Sequence, residues 1–134
     1  MKKTCSVIAI SIILTMFCSC TIKPIMKIDN YPVSSLSDGS PQSQEAVMSA
    51  ILRACSQRGW TARLVNSGLI EANILVRTHR VTVEIPFTAS SYSIVYKNSS
   101  NLNYKKSGKI HRNYNRWVSN LANSIQRELG VKPR

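Results

Sequence analysis

Acidic residues and histidines are scarce in this sequence. Of 134 residues only six are Asp or Glu and two are His. Neither His79 nor His111 stands at a metal-ligand spacing from Cys, Asp or Glu. No Ser-His-acid order, glycine-rich phosphate loop or zinc signature occurs either. We therefore predict no metal site and no cofactor, and we expect that the protein is not an enzyme.

A long apolar run is also missing. The run SVIAISIILTMF at residues 6–17 has about a dozen residues, whereas a helix that spans a bilayer needs about 20. Lys2 and Lys3 precede this run and the small residues Cys18 and Ser19 follow it, which is typical of an export signal. The alternative, a buried N-terminal helix, would have to hide an apolar cylinder inside a very small domain.

The tetrapeptide Phe17-Cys18-Ser19-Cys20 resembles the lipobox, the processing signal of bacterial lipoproteins. In that pattern an aliphatic residue and two small residues precede a Cys that is lipidated and becomes the new N-terminus. Cys20 fits because Cys18 and Ser19 are small, although Phe17 replaces the usual Leu. Cys18 fits badly because the bulky Phe17 comes directly before it. The resemblance implies a signal peptide over residues 1–19 and an acyl anchor, such as palmitate, on Cys20.

The lipobox resemblance also implies a location in the bacterial cell envelope. Thr21 follows Cys20 in place of the Asp that retains lipoproteins in the inner membrane. In a host with two membranes this favours the outer membrane, with the protein facing the periplasm. Plain secretion after cleavage near Ser19 is the alternative.

Cysteine is nearly absent from the predicted mature chain. Cys5 and Cys18 leave with the signal and Cys20 carries lipid, so Cys55 remains alone and no intrachain disulfide can form. Cys55 lies on the apolar side of a predicted helix and is expected to be a small buried hydrophobic residue. Loss of the two signal lysines lowers the formal charge only from +12 to +10.

The remaining chain is divided into a tether and one domain. Residues 20–40 contain the lipidated Cys and a Pro-, Ser- and Gly-containing tether, in which IMKI at 25–28 is an alternative edge strand. Residues 41–134 form a single α+β domain. Its first helix is expected to have Ser40 as the cap and Pro41 as its first residue, and to end at Gly59.

Four strand-like runs and a second helix follow. The runs cover residues 60–65, 69–78, 80–87 and 91–97, and the short turns between them require antiparallel pairing. The last helix is predicted from a stripe at helical spacing: Ile110, Tyr114, Trp117, Leu121, Ile125 and Leu129. The predicted fold is a two-layer sandwich in the order α-β-β-β-β-α, with a four-stranded antiparallel sheet and both helices on one face.

The second half of the chain resembles small bacterial lipoproteins of unassigned function. The resemblance rests on the segments YSIxY, SxNLxY and IHxxYNxWV, which lie between residues 92 and 118. It implies a location and no activity. The spacing of Ile110, Tyr114 and Trp117 favours packing over ligand contact, and Asn101 and Asn115 are expected to bond backbone groups of the loop before the last helix.

A basic segment is the strongest indication of a partner. No carboxylate lies between Glu84 and Glu128, whereas seven cations do: Lys97, Lys105, Lys106, Lys109, Arg112, Arg116 and Arg127. A solvated face is the ordinary explanation, but a one-signed run of this length attracts anions. In an envelope the candidates are anionic lipid, lipopolysaccharide and acidic peptidoglycan groups, and the compartment argues against nucleic acid.

We therefore expect a membrane-anchored envelope lipoprotein with a small basic binding or adaptor domain. The candidate contact region comprises Tyr104, Lys105, Lys106, Lys109 and Arg112, and its target is an anionic envelope component or a partner protein. The alternatives are an inhibitor of a secreted enzyme and a small envelope enzyme. A charge of +10 would repel a basic hydrolase, which argues against an inhibitor of lysozyme-like targets.

Overall fold

The computed structural model of the chain describes residues 21–130. Over this range the chain forms a five-stranded sheet, a separate two-stranded ribbon and two helices. In chain order the elements are β1 (Ile22–Pro24), β2 (Ile28–Pro32), α1 (Gln44–Gln57), β3 (Thr61–Asn66), β4 (Leu69–Val76), β5 (His79–Pro86), β6 (Ser91–Ser100), β7 (Lys109–His111) and α2 (Arg112–Glu128).

The five-stranded sheet is antiparallel throughout and has the strand order β2-β6-β5-β4-β3. Alternate residues of β4 enter the core: Ile70, Ala72 and Ile74 are buried, whereas Leu75 is 60% exposed. Their register partners in β5 are fully buried as well. This period of two is the pattern of a sheet that has one covered face.

Both helices contribute to the same core. Their buried residues join the inward-facing residues of the sheet in one hydrophobic cluster: Val47, Ala50, Ile51, Ala54 and Cys55 of α1, and Tyr114, Val118, Leu121, Ala122 and Ile125 of α2. The two helices also contact each other. A helical layer therefore packs on a sheet layer, as in other α+β domains.

The predicted α+β class is confirmed, but the predicted sheet of four strands is wrong. A fifth strand, β2, pairs with β6 through Ile28, Tyr31 and Pro32, and β1 pairs with β7 in the ribbon. The order is therefore β-β-α-β-β-β-β-β-α rather than α-β-β-β-β-α. β2 could not be predicted because its apolar and polar residues do not alternate regularly. Asn30 has a positive φ of 45°, and the register with β6 shifts between Ile28 and Tyr31.

The segment predicted as a tether is largely part of the fold. Its described part, residues 21–40, contains β1 and β2, and the Val33 N–H donates to the carbonyl of Ser90 at 2.9 Å. The sequence suggested an edge strand at residues 25–28, but the observed strand is Ile28–Pro32 and shares only Ile28 with that segment. Residues before position 41 therefore pair with strands that come later in the chain.

Both helices begin later than the sequence predicted. Ser43, not Ser40, caps α1, because the Ser43 Oγ accepts a hydrogen bond from Ala46 N at 3.0 Å. Ser40 is held in the preceding turn by the Asp38 carboxylate. Ile110, the first residue of the predicted apolar stripe of α2, is a strand residue that pairs with Lys23 in β1.

Candidate anion-binding surface

The outer face of the sheet carries the only facing pair of carboxylates that the sequence suggested. Glu71 and Glu84 are register partners in β4 and β5. Lys97 Nζ lies 2.7 Å from Glu71 and 2.8 Å from Glu84, and Arg63 lies 2.8 Å from Glu71. The hydrogen bond from Lys97 is the main cause, and that from Arg63 the second, of a pKa of Glu71 below its ordinary value. A general acid needs a raised pKa, which Glu71 lacks, and the pair forms part of a salt-bridged face.

Cys55 is not placed to act as a nucleophile. Its side chain is fully buried in the core, and burial raises the pKa of the thiol to about 12. The thiolate that would act as a nucleophile is therefore absent near neutral pH. The prediction that Cys55 is a buried hydrophobic residue is confirmed. Within residues 21–130, no group of three or more His, Cys, Asp or Glu side chains is arranged to hold a metal ion.

Three of the candidate lysines lie on one short turn that leads into β7, whose first residue is Lys109. Lys105 N donates to the carbonyl of Lys109 at 2.8 Å, and Gly108 N donates to the carbonyl of Lys105 at 2.9 Å. Gly108 adopts a φ of +79°, which side chains other than glycine tolerate poorly. Lys105, Lys106 and Lys109 are all exposed. The turn therefore presents three ammonium groups to solvent from a backbone that is fixed by hydrogen bonds.

The N-terminal segment of the fold holds this turn against the start of α2. Pro24 is the register partner of Lys109, and the Ile25 N–H donates to the carbonyl of Gly108 at 2.9 Å. The N–H of Arg112, the first residue of α2, donates to the carbonyl of Thr21 at 2.8 Å. Arg112 is exposed. The structure thus brings the four candidate cations together around β1 and β7.

The side-chain amide of Asn115 in α2 holds the same N-terminal segment through two hydrogen bonds, one at its oxygen and one at its nitrogen. Its Oδ1 accepts from Met26 N at 2.8 Å, and its Nδ2 donates to the carbonyl of Pro24 at 2.8 Å. The sequence predicted that Asn115 bonds backbone groups, but in the loop before α2. The partners instead lie 89 and 91 residues earlier in the chain. A separation of this size leaves no local pattern in the sequence.

The four cations, which we call the basic surface (Lys105, Lys106, Lys109 and Arg112), have no carboxylate partner among the described residues. Glu71, Glu84 and Glu128 are all engaged by other cations. Three further cations of the same region were not among the predicted contact residues: Lys23, Lys27 and Arg116. Lys23 and Lys27 were overlooked because their segment was interpreted as a tether, although both are visible in the sequence as cations close to Cys20.

Tyr104, the aromatic member of the predicted contact region, is held at the base of the lysine turn. Its ring stacks on Tyr96 at a centroid distance of 4.5 Å, and Tyr96 meets the buried ring of Tyr114 edge-on at 5.6 Å. Tyr104 is itself 43% exposed. A column of three rings therefore joins the core to the basic surface and orients Tyr104.

An apolar groove lies beside Tyr104. It has a volume of about 340 Å³ and is open to solvent. Its lining comes from the N-terminal segment, from β6 and from Tyr104: Ile25, Met26, Lys27, Ile28, Asp29, Ile94, Val95, Tyr96 and Tyr104. The groove leaves no local pattern in the sequence, because its two walls are about 70 residues apart in the chain.

No protein-family model, no curated protein and no solved structure matches this chain. Cys20 and the predicted signal at residues 1–19 lie outside the described residues. Among the residues that are described, no helix is both long and apolar enough to cross a membrane.

Proposed function

We propose that the protein is a lipid-anchored lipoprotein of the bacterial cell envelope, and that its basic surface binds an anionic component of the membrane beside it. The anchor is the lipid on Cys20, and the outer membrane, facing the periplasm, is the favoured location. The proposal includes no catalytic activity. A partner protein is the alternative target of the same surface.

The observation that carries the proposal is the position of Thr21. Its carbonyl accepts a hydrogen bond from the backbone of Arg112, a member of the basic surface. Cys20 is the residue directly before Thr21 in the sequence, and one peptide unit spans at most about 3.8 Å. An acyl chain on Cys20 would therefore begin next to the basic surface and would hold it at the membrane–water boundary.

The charges and the acyl chain then act as two signals for one attachment. A single acyl chain gives weak and reversible binding, and a polybasic patch adds about 1 kcal/mol for each Lys or Arg close to an anionic surface. The four cations have no ion-pair partner within residues 21–130. No intramolecular ion pair has to be broken before they meet a phosphate group.

The first test concerns the anchor. In cells, labelling with a radioactive fatty acid should be lost in Cys20→Ala and kept in Cys18→Ala, since only Cys20 has two small residues before it. Globomycin, which blocks the lipoprotein signal peptidase, should cause the precursor of the unaltered protein to accumulate. Acylation that persists in Cys20→Ala would contradict the assignment of the anchor.

The second test concerns the basic surface. The full chain is diluted from non-ionic detergent into mixtures of neutral and anionic phospholipid vesicles, and its partition between them is measured over a salt series. Lys105→Gln with Lys106→Gln should lower the preference for anionic vesicles about 30-fold at low salt, which corresponds to about 2 kcal/mol. High salt should reduce this difference, because screening shortens the range of exposed charges to a few ångströms.

A control with the same change of charge is available. Arg53→Gln with Arg63→Gln removes two exposed cations from ion pairs that contribute little to stability. Arg53 lies beside Glu128, at the other end of α2 from Arg112. Equal partition of the two double variants would mean that only net charge matters. A lack of preference for anionic vesicles in the unaltered protein would leave a partner protein as the target.

A further inference from the structure

The apolar groove is continuous with the basic surface. Ile25, which lines the groove, donates its N–H to Gly108 in the lysine turn, and Tyr104 lines the groove directly before Lys105. Lys27 also lines the groove and has no ion-pair partner among the described carboxylates. Cations therefore lie both in the lining of the groove and on the turn beside it.

The lining of the groove is largely apolar and includes Met26, Ile28 and Ile94. Its one carboxylate, Asp29, accepts a hydrogen bond from Ser93 Oγ at 3.3 Å. The groove meets the lysine turn at Ile25 and Tyr104, and we call this part the cationic mouth.

We propose that the groove holds one acyl chain of an anionic membrane phospholipid whose phosphate group lies at the cationic mouth, beside Lys27 and Lys105. This inference rests on the proposed function, because the basic surface must first lie on the membrane. A volume of about 340 Å³ is at the lower end of the range for small-molecule pockets. Such a groove suits part of a single chain and not a whole lipid.

The combination of apolar lining and unpaired cations selects this occupant. A neutral apolar molecule would leave the cations at the mouth without partners, and an inorganic anion would leave the apolar lining exposed to water. A phospholipid satisfies both, since its phosphate and its hydrocarbon are joined in one molecule. The exposed fraction of Tyr104 would be covered by the same chain.

The test uses the full chain in vesicles that contain a phosphatidylglycerol probe with a photoreactive group near the middle of one acyl chain. After illumination, mass spectrometry locates the labelled residues. We expect label on Met26, Ile94 and Tyr104. Parallel vesicles with the same photoreactive chain on neutral phosphatidylcholine should give much less label at these positions.

Two substitutions test whether the label comes from binding in the groove or from general contact with the membrane surface. Val95 lines the groove and is 47% exposed, so Val95→Trp can fill the groove without disturbing the core. Leu75→Trp is the matched control, because Leu75 is an exposed strand residue outside the groove. Val95→Trp should lose most of the label at Met26 and Ile94, whereas Leu75→Trp should keep it.

The outcomes distinguish this inference from the function on which it rests. Label that is spread evenly over exposed residues, or that is unchanged in Val95→Trp, would overturn the groove assignment. If the preference for anionic vesicles then remains sensitive to Lys105→Gln, the proposed function stands. Equal label from the neutral and the anionic probe would overturn the phosphate contact at the mouth.

Discussion

The amide of Asn115 is the clearest single point at which to test how the N-terminal segment is held. Asn115→Ala removes two hydrogen bonds, one from Met26 N and one to the carbonyl of Pro24. A hydrogen bond contributes about 0.5 to 1.5 kcal/mol net, so the two together contribute about 1 to 3 kcal/mol. The loss falls on the segment that contains β1 and leaves the main core unaltered.

This loss is small for the domain and large for the segment. A domain of this size has a free energy of unfolding of about 5 to 15 kcal/mol and should remain folded. The segment has fewer attachments: the three-residue ribbon of β1 and β7, the bond from Ile25 to Gly108 and the bond from Arg112 to Thr21. Its local opening should therefore become about 5-fold to 150-fold more frequent.

Hydrogen exchange of the full chain in detergent micelles measures this opening. Peptides that cover residues 22–28 should exchange faster in Asn115→Ala, and peptides from β4 and β5 should be unchanged. Asn120→Ala is the control, because Asn120 is exposed on the same helix and its side chain makes no hydrogen bond to a described residue. Equal exchange of residues 22–28 in both variants would refute the role that we assign to Asn115.

Four further predictions concern stability and the thiol. Tyr92→Phe should lower the free energy of unfolding by about 1 to 2 kcal/mol, because the Tyr92 hydroxyl bonds Gln126 and the Ala122 carbonyl. Tyr114→Phe should cost nothing or stabilise, because no described group pairs with that buried hydroxyl; urea unfolding of both variants checks this, and a larger loss for Tyr114→Phe would contradict it. The stability that Glu71 contributes through its lowered pKa should be complete above about pH 4.3, the pKa of an unfolded Glu, and lost as the pH falls through the folded pKa. Urea midpoints of Glu71→Gln should therefore fall less between neutral and acidic pH, and an unchanged fall would contradict the prediction. Cys55 should resist thiol reagents at neutral pH until the protein is denatured, and rapid labelling in the folded state would show that it is not buried.

The central part of the fold could be predicted from the sequence because its patterns are local. The four central strands were predicted within a few residues of their observed ends, and Pro86 ends β5 as expected for a residue that cannot donate to a ladder. Gly59 and Gly130 follow the helix ends with positive φ, as expected for helix C-termini. Trp117 packs against the core, although it is only partly buried.

The N-terminal strands could not be predicted because their stabilisation is not local. β1 has three residues, two of which are Lys23 and Pro24, and its partner β7 lies more than 80 residues later. Prolines and polar residues in such a segment indicate a linker by composition. Pairing with β7 and the amide of Asn115 compensate for a weak strand propensity. The same long-range contacts create the groove, which is why its residues were missed.

The pairing of β1 determines whether the basic surface can act on a membrane at all. A flexible tether of 20 residues would have a mean end-to-end distance of about 25 Å. The screening length at physiological salt is about 8 Å, so cations at that distance would contribute almost nothing to attachment. With β1 in the ribbon and Thr21 bonded to Arg112, a lipid on Cys20 would instead begin within one residue of the basic surface. Under the proposed anchor, the short N-terminal strand therefore brings the four cations of the basic surface close to the membrane.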